Sequence, residues 1–115
     1  MVQMNLTGTT FRAIHNSANG ALDSETTMTF VSESGEAILG VYSGGAITAG
    51  QVVATRQDES NANVLYHCVT ADGQLKAGEA RAHFTRDADG RQRMHLDWQW
   101  LTGDGTSGES EWVEE

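Results

Sequence analysis

The sequence predicts an all-β fold, an eight-stranded antiparallel up-and-down barrel, on three observations. Apolar and polar residues alternate without a break from Arg93 to Trp100, the period of a half-buried strand. Residue pairs that tolerate positive φ recur between the apolar runs, at Ser34-Gly35, Gly44-Gly45, Asp72-Gly73 and Asp89-Gly90, and such pairs make tight antiparallel hairpins. No window sustains a helical period, and Gly20 and Gly50 interrupt the best candidates.

Each strand follows in order. Residues 9–16 open the series. The run from Thr26 to Val31 carries the β-branched and aromatic side chains that suit a pleated surface. Residues 36–43 and 46–55 flank the Gly44-Gly45 turn, and Ile38, Leu39, Val41, Ile47, Val52 and Val53 give them apolar groups on both faces. Val64 to Val69 is again β-branched and aromatic. In residues 74–85 one face holds Leu75, Ala77, Glu79, Arg81 and His83, and the other Lys76, Gly78, Ala80, Ala82 and Phe84. Arg93 to Trp100 comes next and residues 107–113 close the set. Residues 17–23, 57–61 and 102–106, rich in Asn, Asp, Ser and Gly, are expected loops. Eight such strands left open would expose two edges, and a strongly twisted sheet removes them by curling shut. The alternative, a β-sandwich, needs long crossovers between sheets that these short turns do not supply.

The 115 residues suit one domain, residues 1–115. With 38% hydrophobic and 20% charged residues the chain is expected to fold and to stay in solution. No apolar run approaches the roughly 20 residues of a membrane-spanning helix, and the opening MVQMNLTGTTF lacks a basic leader and an apolar signal core. A lone cysteine, Cys68, forms no internal disulfide, so a cytoplasmic location is expected. A net charge of −9 repels phosphate backbones and anionic lipid, so neither nucleic acid nor membrane is an expected partner. The charge is uneven, with Glu109, Glu111, Glu114 and Glu115 near the end and Arg81, Arg86, Arg91 and Arg93 before them, placed either to face solvent or to pair across neighbouring strands.

Several stretches carry a resemblance: Leu6-Thr7-Gly8-Thr9-Thr10-Phe11-Arg12, Tyr42-Ser43-Gly44-Gly45-Ala46-Ile47 with Gly50, Tyr66-His67, Thr70-Ala71-Asp72-Gly73, Trp98-Gln99-Trp100, and Thr106-Ser107-Gly108-Glu109-Ser110. Over nearly its whole length the chain resembles a family of small bacterial barrels of lipocalin and avidin type, some of which bear the label N-acetylglutamate synthase. The resemblance implies the barrel. An acetyltransferase of the usual kind holds the acetyl-CoA pyrophosphate at a glycine-rich turn opening a helix. The glycine-rich segment from Gly103 to Gly108 lies between two strands and lacks a P-loop lysine, so no cofactor is expected.

Other motifs resolve to turns. Asp87-Ala88-Asp89-Gly90 begins like a calcium loop, but position twelve is Trp98 where a glutamate is needed. His15, His67, His83 and His95 fall on different strands without zinc spacing, so no metal is expected, although strand pairing can bring two together.

Three functional readings remain. Met94, Leu96, Trp98 and Trp100 share one face, and aromatics turned inward either fill a core or line a cavity; a barrel of this size accommodates both. In the first reading a small organic ligand sits against Tyr42, Ser43, Tyr66, Trp98 and Trp100, with Arg81 or Glu109 fixing its polar end. In the second the barrel is solid and its apolar outer residues pair in a homodimer. In the third, an enzyme as the inherited label implies, Glu79, His67, His83 and Glu109 converge in one pocket.

Overall fold

A computed structural model describes residues 6–16, 25–103 and 105–115. It contains β1 (Thr10–Asn16), β2 (Thr27–Ser34), β3 (Ala37–Gly44), β4 (Ile47–Arg56), β5 (Asn61–Thr70), β6 (Leu75–Arg86), β7 (Gln92–Trp100) and β8 (Ser107–Glu114). Each strand pairs antiparallel with the next, and β8 pairs with β1, which closes the barrel. The sandwich alternative falls on that last pairing, in which Arg12 lies opposite Val113 and Ala13 opposite Trp112. The expected loop at 17–23 lies outside the described residues.

The turns sit where glycine permits them. Gly35, Gly44, Gly45, Gly73 and Gly90 all take positive φ, as the hairpin pairs require. Gly44 is doubly constrained: its φ is +112°, and a Cβ there would stand 2.1 Å from the Glu25 carbonyl oxygen. Two strands run well beyond expectation, β2 continuing past Val31 to Ser34 and β5 beginning at Asn61, in the expected loop, rather than at Val64. Asn61 is the first residue of β5. It pairs with His83 on β6, and its side-chain Oδ1 lies 2.9 Å from His83 Nδ1.

Alternation turns one face of every strand inward. On β6 the small face wins: Gly78, Ala80, Ala82 and Phe84 are buried while Glu79, Arg81 and His83 are exposed. Gly78 pairs with Trp100 and Ala80 with Trp98, so the wall is thin where the opposing side chains are largest. At the end that carries the β2–β3, β4–β5 and β6–β7 turns, Phe11, Phe30 and Phe84 meet edge to face at 5.6–6.5 Å. Arg56 and Glu33 form a buried ion pair there, and the Leu6 N–H donates to the same carboxylate at 2.9 Å. Ile38, Val52, Met94 and Leu96 fill the middle, where the remaining space is about 10 Å³, borderline for a single water.

The exterior divides in two. The outward positions of β3, β4 and β5 (Ala37, Leu39, Val41, Ser43, Ala49, Gln51, Val53, Thr55, Asn63, Leu65, His67, Val69) carry no carboxylate, ammonium or guanidinium. The outward positions of β6, β7 and β8 carry Glu79, Arg81, Arg93, Asp97, Glu109 and Glu111, with His83 and His95 among them.

Candidate functional site

The barrel end opposite the phenylalanines holds four large aromatic side chains. Tyr42 on β3 pairs with Gly50 on β4, and Tyr66 on β5 pairs with Gly78 on β6. Each ring lies flat over its partner glycine, so closely that a Cβ would stand 2.5 Å from the Tyr42 ring at Gly50 and 2.4 Å from the Tyr66 ring at Gly78. Missing side chains thus let the rings lie against the wall instead of projecting across the lumen. The rings form a chain, with centroids 6.4 Å apart for Tyr42–Tyr66, 5.5 Å for Tyr66–Trp100 and 6.1 Å for Trp98–Trp100. Lys76 Nζ lies 5.2 Å from the Trp100 ring centroid, where an ammonium meets the negative face of the indole.

Two polar atoms among these rings are anomalous. Tyr42 Oη and Trp98 Nε1 are buried, and among the described residues neither meets an oxygen or nitrogen partner; the phenol has beside it the Cys68 thiol, a weak hydrogen-bonding group. Buried polar atoms are nearly always satisfied, and leaving one unpaired costs about 1–3 kcal/mol. Another buried indole, the most deeply buried in the barrel, shows the ordinary solution: Trp112 Nε1 donates to Ser110 Oγ at 2.9 Å. Burial, and then the neighbouring Cys68 thiol, drives the Tyr42 hydroxyl far above the usual phenol range. Burial does the same to Tyr66, with Cys68 and Glu79 adding to it. Both phenols are therefore neutral, and the end of the barrel presents uncharged O–H and N–H donors.

The residues singled out in the sequence divide accordingly. Tyr42, Tyr66, Trp98 and Trp100 come together. Ser43 is exposed on the outer face of β3, and Arg81 and Glu109 lie on the outer surface rather than at a polar end of the lumen. The reason is the tryptophans' need for small inward neighbours, which puts the charged face of β6 outside, and Glu109, opposite Asp97 on β7, shares that exterior. The four groups of the enzymatic reading do not meet in one pocket either. His67 and Glu79 line separate outer hollows, His83 contacts Asn61, and Glu109 contacts His95. Gly50 and Cys68 are parts of the aromatic end that the sequence alone does not signal, whereas Lys76 and Gly78 stand on the small-residue face of residues 74–85. The cross-strand register is what reveals the two glycines, through their tyrosine partners.

The histidines on β6 and β7 are brought side by side, His83 opposite His95. His95 is surrounded by carboxylates: Nδ1 contacts Glu111 Oε1, and Nε2 lies 3.1 Å from Glu109 Oε1 and 3.4 Å from Asp97 Oδ1. The Glu111 hydrogen bond, joined by the Asp97 charge, raises the imidazole above its usual range.

Against known proteins, the sequence model of a family described as avidin-like protein matches residues 4–115. No curated protein and no solved structure matches the chain.

Proposed function

The chain belongs to the avidin-like protein family, and from that premise we propose that it holds one small organic molecule at the aromatic end of the barrel, against Tyr42, Tyr66, Trp98 and Trp100. The observation that carries this reading is the pair of buried polar atoms without an oxygen or nitrogen partner, Tyr42 Oη and Trp98 Nε1, set among four rings. A ligand offering an acceptor to the indole N–H and a second polar atom to the phenol would satisfy both. The ligand is flat and uncharged where it enters, because the phenols are neutral and the rings present faces and edges. It is shallow, because the middle of the barrel is filled. Any anionic tail would lie toward Lys76 rather than inward.

Native mass spectrometry of protein purified gently from its own cells tests the reading. The expected result is a reproducible extra mass on each chain that leaves on denaturation. Tyr42→Phe then lowers affinity for the recovered molecule about tenfold, the worth of one hydrogen bond, while the empty barrel becomes about 1 kcal/mol more stable because a poorly paired hydroxyl is gone. Affinity unchanged in Tyr42→Phe removes the phenol from the site, and a barrel that never retains or binds a small molecule removes the function.

A second, compatible reading is a homodimer. It is favoured by the uncharged exterior of β3, β4 and β5, where Leu39, Val53 and Leu65 form one cross-strand row and are each 46–57% exposed.

A further inference from the structure

We propose that the outer face of β7 and β8 is a binding site for a first-row divalent metal ion, with His95 Nε2 and one carboxylate oxygen each from Asp97 and Glu109 as its ligands. The three donor atoms lie within 4.8 Å of one another. The site is on the barrel exterior and does not depend on the ligand reading of the lumen.

Donor geometry is the first support. The distances from His95 Nε2 to Glu109 Oε1 and Asp97 Oδ1 are 3.1 and 3.4 Å. Ligands held about 2.0–2.1 Å from a tetrahedral zinc ion are about 3.3 Å apart, and the two separations that meet at Nε2 match that spacing.

The surroundings of the ring are the second support. Metal-ligating histidines almost always give their other ring nitrogen to a carboxylate or carbonyl, which fixes the tautomer and aims the free nitrogen. Here Nδ1 contacts the Glu111 carboxylate, leaving Nε2 turned toward Asp97 and Glu109. The backbone contributes rigidity, since Asp97 pairs with Glu109 and His95 with Glu111 in the ladder, and all four side chains stand on one face, on alternate rungs of one hairpin. One imidazole and two carboxylates form a borderline-hard set that suits Zn²⁺, Co²⁺ or Mn²⁺ and leaves a fourth position for water. Arg81, opposite Asp97 on β6, is the cation that competes for that carboxylate.

Titration calorimetry of the full chain with Zn²⁺ at fixed neutral pH, paired with ¹⁵N spectra of the histidine rings, tests the site. One ion per chain is expected, with the His95 ring resonances moving on addition and those of exposed His67 staying in place. His95→Gln and Glu109→Gln each weaken binding at least tenfold, Glu111→Gln weakens it roughly tenfold through the ring's orientation, and His67→Gln has no effect. Either of two results overturns the proposal: no Zn²⁺ uptake by the wild-type chain at a hundredfold excess, or uptake that both His95→Gln and Glu109→Gln retain. The two variants change separate strands, so a folding failure in one leaves the other to decide.

Discussion

Arg56 shows how much one residue can govern. Its guanidinium is the one charged group that, with its partner Glu33, is nearly sealed from solvent among the described ion pairs, at 3% and 4% side-chain exposure. It donates through Nη2 to Glu33 Oε1 at 2.9 Å and through Nη1 to the Glu59 carbonyl at 3.1 Å, and it lies 5.7 Å from the Phe84 ring centroid. It therefore ties β2, β4 and the β4–β5 turn together across the phenylalanine end. Removing one member of such a pair strands the other charge in low dielectric, a cost of about 3–5 kcal/mol, whereas replacing both with neutral groups recovers much of it. Arg56→Met is expected to destabilise the barrel by that amount in urea denaturation, and Arg56→Met with Glu33→Gln to recover at least half. Equal losses in the single and double variants would mean that the arginine acts by packing alone. The sequence offered a faint sign of this residue, since Arg56 continues the inward parity of Val52 and Ala54, but parity alone does not say that a charge will be buried. Glu33 stands on a different strand, and no spacing in the sequence connects the two.

At the scale of the strand, alternation and turn chemistry made the architecture legible, because both are local. The Arg93 to Trp100 pattern and the glycine pairs specify strands and hairpins without reference to the rest of the chain. What alternation leaves open is the choice of face where both faces carry apolar groups, as on β6. That choice depends on the neighbouring strand: Trp98 and Trp100 demand small partners, so Gly78 and Ala80 turn inward and Arg81 turns out. The aromatic end was legible as residue types but not as geometry, for the flat lie of each tyrosine rests on a glycine one strand away. Gly50 is the sharper case, because the nearest atoms to a Cβ there are all in the Tyr42 ring, at 2.5–2.8 Å. Gly50→Ala must push that ring into the lumen, and overpacking of this kind costs about 1–3 kcal/mol. In a Tyr42→Ala background the same substitution is expected to cost far less. A double-mutant cycle by thermal denaturation reads the coupling. A coupling near zero would show that Gly50 serves the backbone and not the ring.

Over the whole molecule, barrel closure could be argued from the edges eight strands would otherwise expose, and β1 does pair with β8. The division of the exterior could not, because it requires knowing which residues point outward on eight strands at once. With 23 acidic and basic residues in the chain, 16 of one sign and 7 of the other, three adjacent strands with no outward charge leave a surface suited to a partner. Two copies of a chain with net charge −9 repel wherever charged surfaces approach, and the uncharged face is where that repulsion is least. It is also where Leu39, Val53 and Leu65 lie exposed in one row, next to Val41. A two-fold axis through this row would place like against like and leave the β6–β8 surface, with its histidine and carboxylates, in solvent. Sedimentation velocity across a hundredfold range of concentration is expected to show a dimer for the wild-type chain and a monomer for Leu65→Glu, with the far-ultraviolet spectrum unchanged. Ser107→Glu adds the same charge on β8, across the barrel from β4, and should leave the dimer intact, which separates a local effect from a change in net charge. A wild-type chain that stays monomeric at the highest concentration would mean that the uncharged face serves some purpose other than self-association. A dimer that survives Leu65→Glu would place the interface elsewhere on the barrel.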